Sequence, residues 1–358
     1  MLARQVDTTF WQSKRVLLTG HTGFKGSWLS IWLRSMGADI CGVALSPSSN
    51  PSLFTEARLA KILKNEIIDI RDFEAVDKIF RSFKPEIVIH MAAQPLVRLS
   101  YQKPIETYAT NVMGAIHVLE ASRNAKSVKA IVNVTTDKCY ENQEWVWGYR
   151  EDDQLGGHDP YSNSKGCSEL VSKAYTKSFL ADEGIALATA RAGNVIGGGD
   201  WSNDRLIPDI LNSLSAGKAV EIRHPHAIRP WQHVLEPLSG YLLLAEELFS
   251  NGQDASGSWN FGPNDEDAKS VKWIVEKLCE GWHGSKNWKI QDGNHPHEAK
   301  YLKLDISKAR HNLAWEPRWP LRFALGKVSE WHRGWLDGQN AQIMCHEQIL
   351  QFITKETE

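Results

Sequence analysis

The sequence lacks both a long apolar run and an excess of charge of one sign, and each absence argues against a class of protein. Nowhere do about 18 uncharged apolar residues follow one another, as a membrane-spanning helix requires. Residues 1–14 also lack the apolar core of a secretory signal. Lys and Arg number 41 against 43 Asp and Glu, so the net charge of -2 provides no basic surface for nucleic acid. We expect no membrane segment and no nucleic-acid partner.

Cysteine is also scarce, and its spacing argues against disulfides and zinc. The five cysteines are odd in number and contain no C-x-x-C pair, and they are Cys41, Cys139, Cys167, Cys279 and Cys345. Two His-x-His pairs, at 224/226 and 295/297, are interrupted by proline and lack acidic or thiolate companions, so we predict no metal site. Free thiols of this kind are typical of the reducing cytoplasm, where we expect the protein.

Short apolar runs that alternate with helical patterns fill the first half of the chain. The runs lie at 16–18, 40–44, 66–68, 87–89, 131–134 and 185–189. Such alternation predicts an α/β fold with a doubly wound parallel sheet of the Rossmann type. Beyond Asn194 the pattern changes to loops rich in Gly, Pro, Trp and His, which predicts a smaller mixed substrate-binding lobe at the C-terminal side.

The length of 358 residues favours two lobes, since a domain has roughly 150 residues. The apolar run at 258–261 precedes Gly262 and Pro263, and its composition allows it to return to the sheet. We therefore predict a nucleotide-binding domain over 1–193 with a return around 234–263. The substrate lobe then comprises 194–233 and 264–358.

A glycine-rich turn at 19–26 follows the first apolar run and leads into the first helical pattern. Gly20 and Gly23 would permit a tight turn and let a pyrophosphate approach the N–H groups at the helix N-terminus, and Gly26 would let helix and strand pack closely. An ordinary strand-to-helix turn is the alternative. The predicted cofactor contacts of this turn are Gly20, Gly23, Phe24, Lys25 and Gly26.

Two further turns bear on the cofactor. The second run ends in Ala44-Leu45-Ser46 and carries no acidic residue to accept a ribose 2′-hydroxyl, so NAD and NADP both remain open at this point. Ala92 and Ala93 follow the fourth run and form a small-residue turn that the cofactor backbone can pass.

Tyr161 and Lys165 are four residues apart and therefore share one face of a helix. A nearby ammonium lowers the pKa of a phenol, which would make Tyr161 a base for a sugar hydroxyl. A solvated helix pair is the alternative. The position favours the catalytic interpretation, because a strand ending at Thr136 lies just upstream, at the edge where doubly wound sheets bind ligands.

The glycine turn, the strand-end Thr136 and the Tyr161/Lys165 pair together resemble the short-chain dehydrogenase/reductase superfamily, in particular its extended members that modify nucleotide sugars. Thr136, Tyr161 and Lys165 match the Ser/Thr-Tyr-Lys triad. Thr136-Asp137 resembles the Thr-Asp of sugar-nucleotide 4,6-dehydratases, most of which continue with Glu where this chain has Lys138. That lysine and the segments 20–28 and 145–151 resemble the branch that acts on CDP-glucose.

This resemblance implies NAD as cofactor, a homodimer or homotetramer, and a redox-neutral conversion of CDP-glucose to CDP-4-dehydro-6-deoxyglucose and water. The product class implies deoxysugar biosynthesis, as for O-antigen lipopolysaccharide. By family analogy Asp137 is the acid for the C6 hydroxyl, which requires a pKa raised by burial. Lys138 is then left as the base for C5, and a plain ion pair between the two is the alternative.

The resemblance also assigns binding residues. Asp69 and Ile70 would contact adenine, although Asp69 is equally suited to cap a helix. Asn194 and Arg229 would hold the diphosphate, with Arg229 as a solvated surface charge in the alternative. The remaining substrate candidates are Arg205 and Glu298, and a surface position without a role in binding is an equally good alternative for each.

Other functions are compatible with part of this pattern. Another sugar-nucleotide 4,6-dehydratase, for dTDP-glucose or GDP-mannose, is disfavoured by Lys138, and a 4-epimerase has no need of Asp137. A non-catalytic regulator that senses NAD(P) would tend to lose Tyr161 or Lys165, and this chain has both.

Overall fold

The computed structural model of the chain describes residues 3–202, 204–282, 288–290 and 301–354. Its strands are β1 (Arg15–Thr19), β2 (Asp39–Ala44), β3 (Lys64–Ile67), β4 (Ile87–His90), β5 (Ala130–Val134), β6 (Ala186–Ala192), β7 (Asn194–Ile196), β8 (Val220–Ile222), β9 (Ile228–His233), β10 (Gly257–Phe261), β11 (Ala268–Ser270) and β12 (Trp288–Ile290).

The α-helices are α1 (Thr8–Trp11), α2 (Phe24–Ser35), α3 (Leu53–Glu56), α4 (Phe73–Phe83), α5 (Val97–Gln102), α6 (Pro104–Tyr108), α7 (Gly114–Ala125), α8 (Pro160–Tyr175), α9 (Leu206–Ser215), α10 (Leu235–Asn251), α11 (Val271–Glu280), α12 (Ser307–Leu313), α13 (Leu321–Leu336) and α14 (Ala341–Thr354).

Seven parallel strands form the main sheet, in the order β10-β6-β5-β4-β1-β2-β3. Alternate residues of β1 enter different cores, because successive side chains of a strand point to opposite faces. Val16 and Leu18 belong to the core on one face, and Leu17 belongs to the core on the other. This architecture confirms the doubly wound α/β class, and the strand order reverses between β1 and β4, where such sheets bind ligands.

The late apolar run joins this sheet at its edge. β10 pairs in parallel with β6, with Trp259 opposite Ala190, although more than sixty residues separate the two strands in the chain. Trp259 and Phe261 are buried in the core because the run is apolar and covered by α10 and α12. The second lobe contains the small mixed sheet β11-β9-β7 and the parallel pair β12-β8.

The helical pattern at 108–121 contains a feature that its periodicity does not reveal. Between α6 and α7 the residues Ala109–Met113 form a π-helical turn, in which the extra residue re-aims the side chains. Asn111 lies in this turn, accepts a hydrogen bond from the Gln94 N–H at 2.8 Å, and donates to the Gln94 carbonyl at 3.1 Å and the Ser164 hydroxyl at 2.9 Å. It therefore ties the loop after β4 to α8.

Among the residues that the structure describes, every helix is too short or too polar to cross a bilayer.

Candidate active site

The glycine turn forms a tight cradle at the sheet edge. Gly20 has a left-handed φ of 77°, and a Cβ there would lie 2.8 Å from the Ala92 nitrogen across the crevice. A Cβ on Gly26 would lie 2.1 Å from the Gly20 carbonyl oxygen, so a side chain would force the turn and α2 apart. Only glycine fits both positions.

Gly23 differs from Gly20 and Gly26 in its backbone angle and its surroundings. Its φ of -78° is open to any residue, and a Cβ would make an ordinary 3.4 Å contact, so the turn itself does not require glycine there. The first turn of α2 contains no acidic side chain, which leaves its N-terminal N–H groups and dipole available to an anion. The cradle therefore fits the pyrophosphate of a dinucleotide.

Asp69 and Ile70 lie after β3, and the structure shows whether Asp69 caps the following helix. Both carboxylate oxygens of Asp69 accept bonds from the Arg71 guanidinium, at 2.6–3.1 Å. The cap of α4 is Asp72, which accepts from the Ala75 N–H at 3.1 Å, so the idea that Asp69 caps a helix is wrong. The Ile70 side chain is buried in the core, and its carbonyl accepts a bond from His117.

Tyr161 and Lys165 meet the end of β5 in one cavity of about 350 Å³. Asp159 caps α8 by accepting from the Ser162 N–H at 3.0 Å, which fixes the turn that carries Tyr161. Thr136 lies close enough to the Tyr161 hydroxyl to act on its pKa, and the Lys165 ammonium donates to the Val134 carbonyl at 3.0 Å. The predicted triad is therefore assembled, together with Ala93, at the mouth of the sheet crevice.

The expected lowering of the Tyr161 pKa by Lys165 is wrong in direction. Burial raises the pKa of Tyr161 to about 12, and the hydrogen bond with Thr136 opposes this only in part. Burial also lowers the pKa of Lys165 to about 8, while its ammonium is directed at the Val134 carbonyl. Desolvation is therefore the largest effect on the pKa of each group.

Asp137 has the environment predicted for an acid. Its side chain is 2% exposed, one oxygen accepts from the Thr136 hydroxyl at 3.0 Å, and Oδ2 has no hydrogen-bond partner among the described residues. Burial raises the pKa of this carboxyl, against the opposing charges of Lys138 and Arg229. Oδ2 is thus free to donate to a ligand when protonated.

Lys138 is half-buried in the 3₁₀ turn Asp137–Cys139 and lines the same cavity. Among the described residues, the Lys138 ammonium and the Asp137 carboxylate do not approach within the 4 Å of an ion pair. The alternative of a plain ion pair is therefore wrong. Its backbone N–H donates to the Thr136 hydroxyl at 3.3 Å. The base assignment for Lys138 stays a prediction.

Three of the four predicted substrate residues line the cavity. Arg229 on β9 is buried and close enough to Asp137 to lower its pKa, so its alternative as a solvated surface charge is wrong. Arg205 pairs with Asp200 at 3.1 Å and is half-buried, and Asn194 begins β7. Glu298 lies outside the described residues, as do His295 and His297.

The structure adds cations that the sequence did not single out. Arg98, on α5, and Arg223, after β8, line the cavity mouth beside Arg205 and Arg229. They were missed because they are far apart in sequence and belong to no motif. The side chain of Lys25 also lines the cavity, and its pKa is lowered to about 7 by burial and by the Lys165 and Arg205 charges. Such a cationic pocket suits a diphosphate.

Within the described ranges the structure contains no group of three or more side chains that could hold a metal ion. His224 is half-buried and His226 is exposed.

The switch-point crevice, the glycine cradle and the Thr-Tyr-Lys cluster define an extended short-chain dehydrogenase/reductase. The chain belongs to the GDP-mannose 4,6 dehydratase family, whose model matches residues 17–326.

Two relatives and one solved structure show which enzymes the chain is similar to. The chain is 55% identical to a CDP-glucose 4,6-dehydratase of Salmonella typhimurium, over 98% of this chain and 99% of the relative. It is 27% identical to a UDP-glucose 4-epimerase of Halalkalibacterium halodurans, over 89% and 95% of the two chains. The structure of DesIV, a dTDP-glucose 4,6-dehydratase from Streptomyces venezuelae solved with NAD bound, is similar in fold, with a TM-score of 0.77 at 22% identity over 92% of this chain and 99% of that one.

Proposed function

We propose that the protein is a CDP-glucose 4,6-dehydratase, a hydro-lyase that converts CDP-D-glucose to CDP-4-dehydro-6-deoxy-D-glucose and water. The observation that carries the proposal is the 55% identity to such an enzyme over nearly the full length of both chains. The epimerase relative is only 27% identical. The buried carboxyl of Asp137 beside Thr136 supports the same choice, because loss of water from C6 needs an acid that epimerisation does not.

NAD is the proposed cofactor, and when bound it supplies the acceptor for hydride from C4 and the donor that returns it to C6. The cradle of Gly20 and Gly26 fits its pyrophosphate. In the proposed reaction Tyr161 takes the C4 hydroxyl proton, with Thr136 holding the phenol and Lys165 supplying positive charge nearby. Arg229 and Arg205 bind the diphosphate, together with Asn194.

Asp137 and Lys138, the two residues after Thr136, are the proposed acid and base for the loss of water from C6. Once C4 is a ketone, the C5 proton is acidic, and Lys138 is the proposed base for it. Asp137 donates a proton to the departing C6 hydroxyl, which its burial favours by keeping the carboxyl protonated to higher pH. Hydride from the bound reduced cofactor would then return to C6, and the protonated Lys138 would return the proton to C5, so the reaction is redox-neutral.

One assay separates this proposal from its alternatives. Purified protein and NAD are incubated separately with CDP-, dTDP-, GDP- and UDP-glucose and with GDP-mannose, and products are identified by mass and NMR. We expect a 4-keto-6-deoxy sugar from CDP-glucose alone. A changed C4 configuration without loss of water would indicate an epimerase, and NAD binding without any turnover would indicate a sensing role.

The preference for NAD over NADP is testable at Ser46, which is exposed just beyond β2. Ser46→Asp should tighten NAD and weaken NADP, because a carboxylate accepts the ribose 2′-hydroxyl and repels a 2′-phosphate. Titration of both cofactors by calorimetry measures the two affinities. Ser46→Asn, which is similar in size and uncharged, is the control, and unchanged affinities in the Asp variant would place Ser46 outside the ribose site.

We propose that the chain assembles as a homodimer or homotetramer through the face formed by α6, α7 and α8 with their π-helical turns. Apolar side chains stand exposed on these segments, namely Ile105, Met113, Leu170 and Phe179. Exposed apolar groups clustered on adjacent helices mark an interaction surface, and a closed oligomer pairs such a face with itself.

Replacing Leu170 with Glu should therefore dissociate the assembly, because burying an unpaired charge in an apolar contact is costly. Sedimentation equilibrium measures the mass. Ile343→Glu on α14 is the matched control, since Ile343 is 56% exposed and Leu170 57%. An assembly that survives Leu170→Glu, or dissociates with Ile343→Glu instead, would place the interface elsewhere.

The proposed division of the chain is a NAD-binding domain over 1–193 with a return at 234–263, and a substrate lobe over 194–233 and 264–358. The parallel pairing of β10 with β6 supports the return. We also place the protein in the cytoplasm, which the five free cysteines and the NAD requirement support.

A further inference from the structure

A buried ion pair lies directly beneath the catalytic end of β5. Glu169 on α8 and Arg191 on β6 are each about 2% exposed at the side chain and are joined by two hydrogen bonds, at 3.0 Å from Nε and 2.8 Å from Nη2. Buried pairs are costly to desolvate and contribute little net stability by themselves. An ion pair at this depth, below a reactive site, is therefore a candidate for a functional role.

The Glu169 carboxylate is anchored from three strands of the main sheet. Thr135 on the loop after β5 donates to Oε1, while Thr189 on β6 at 2.6 Å and Ser258 on β10 at 3.2 Å donate to Oε2. Burial raises the pKa of this carboxyl, but Arg191 and the hydroxyl donors lower it more, so the pKa lies below its ordinary value. The carboxylate is therefore a fixed negative charge.

Glu169 lies one helical turn after Lys165, so the two side chains share a face of α8. Two further titratable groups beside Lys165 provide no negative charge at neutral pH. His90 on β4 and Cys139 are neutral, because burial lowers the pKa of the first to about 3 and raises that of the second. Lys25 on α2, whose pKa is lowered to about 7, carries no negative charge in either protonation state.

Burial raises the pKa values of Asp137 and Tyr161, which complete the pocket around Lys165, and neither group is among the charges that raise the Lys165 pKa, of which Glu169 is the largest. Glu169 therefore provides the main negative charge that opposes desolvation of the Lys165 ammonium. Arg191 approaches the carboxylate from the sheet side and bonds the Tyr140 hydroxyl at 2.7 Å.

We propose that Glu169 is a positioning residue of the active site, whose buried carboxylate keeps Lys165 in its ammonium form at neutral pH. The proposal rests on the proposed function, in which Lys165 supplies the positive charge beside Tyr161. Because the carboxylate bonds Thr135, it also fixes the loop that carries Thr136 and Asp137. One buried anion thus sets both the charge and the alignment of the site.

Glu169→Gln tests the proposal. C4 oxidation should be lost at high pH, where Lys165 gives up its proton. Without the Glu169 charge this loss should occur about one to two pH units lower, which is the effect of a unit charge one helical turn away in a pocket. Single-turnover reduction of NAD by CDP-glucose measures this profile. At the acid end of the range, where Lys165 is protonated in both proteins, the variant should approach the wild-type rate.

Two further variants keep the outcome interpretable. Glu169→Gln combined with Arg191→Gln avoids an unpaired buried guanidinium, so it tests the charge if the single variant does not fold. Thr189→Val removes one hydrogen bond to the same carboxylate and keeps its charge, so its profile should match the wild type. A rate lowered equally at every pH, or a profile that stays in place in the folded variants, would overturn the proposal.

A second readout does not depend on the reaction. The pH at which Lys165 becomes reactive towards acetic anhydride, measured by mass spectrometry of its peptide, should fall by the same one to two pH units in the Glu169→Gln protein. If the wild type fails to oxidise CDP-glucose, the proposed function fails, yet this shift still tests the role of Glu169. Equal reactivity profiles in the two proteins would refute it.

Discussion

Tyr161→Phe is expected to abolish oxidation of CDP-glucose at C4 while leaving NAD binding nearly intact. Phenylalanine keeps the ring that packs at the start of α8 and removes the hydroxyl that bonds Thr136. A general base typically contributes about 10²–10⁴-fold, so the rate of NAD reduction should fall by at least that amount. Stopped-flow absorbance of the reduced nicotinamide measures the rate of C4 oxidation, and calorimetric titration measures the affinity for NAD.

The same substitution at the other end of α8 provides the control. Tyr175 ends α8 and packs in the apolar core below the sheet, so Tyr175→Phe should keep the wild-type rate. Below the pH at which Lys165 loses its proton, the wild-type rate should also rise with pH, because a phenol with a raised pKa near 12 is largely protonated there and a higher pH increases the phenolate. Wild-type turnover by Tyr161→Phe would remove Tyr161 from the proposed base role.

Local patterns predicted the elements of the fold because each pattern reports a short stretch of chain. The apolar run at 131–134 became β5, and the run at 258–261 became part of β10, since β-branched and aromatic residues between turn residues have few other stable uses. The π-helical turn at Ala109–Met113 escaped prediction, because one inserted residue hardly alters a periodicity of 3.6.

The site was predictable only where it follows a motif. Thr136, Tyr161 and Lys165 were found through their spacing, whereas Arg98 and Arg223 reach the cavity through tertiary packing that no local pattern records. The direction of the Tyr161 pKa was missed for a related reason. The spacing to Lys165 suggests an attraction, but the largest effect is desolvation, which depends on burial in the folded chain and not on sequence spacing.

Asp137→Asn is expected to stop the reaction after C4 oxidation. The amide keeps the size of the side chain and its bond with Thr136, but it cannot donate an acidic proton to the leaving C6 hydroxyl. Enzyme-bound reduced cofactor and a 4-keto-hexose should therefore accumulate, with elimination slowed by about 10²–10⁴-fold. Rapid-quench analysis with enzyme in excess separates oxidation from elimination, and normal formation of the 6-deoxy product would contradict the acid role.

Lys138→Ala distinguishes the base from the acid at the same stage. If Lys138 removes the C5 proton, the variant should accumulate the same ketone and should also lose exchange of that proton with solvent deuterium, whereas Asp137→Asn can retain exchange because its base is intact. Lys138→Arg is the control for charge, since arginine keeps the cation and cannot act as a base at neutral pH. Exchange at the wild-type rate in Lys138→Ala would refute the base assignment and leave Lys138 as an electrostatic partner of Asp137, whose pKa its charge already lowers.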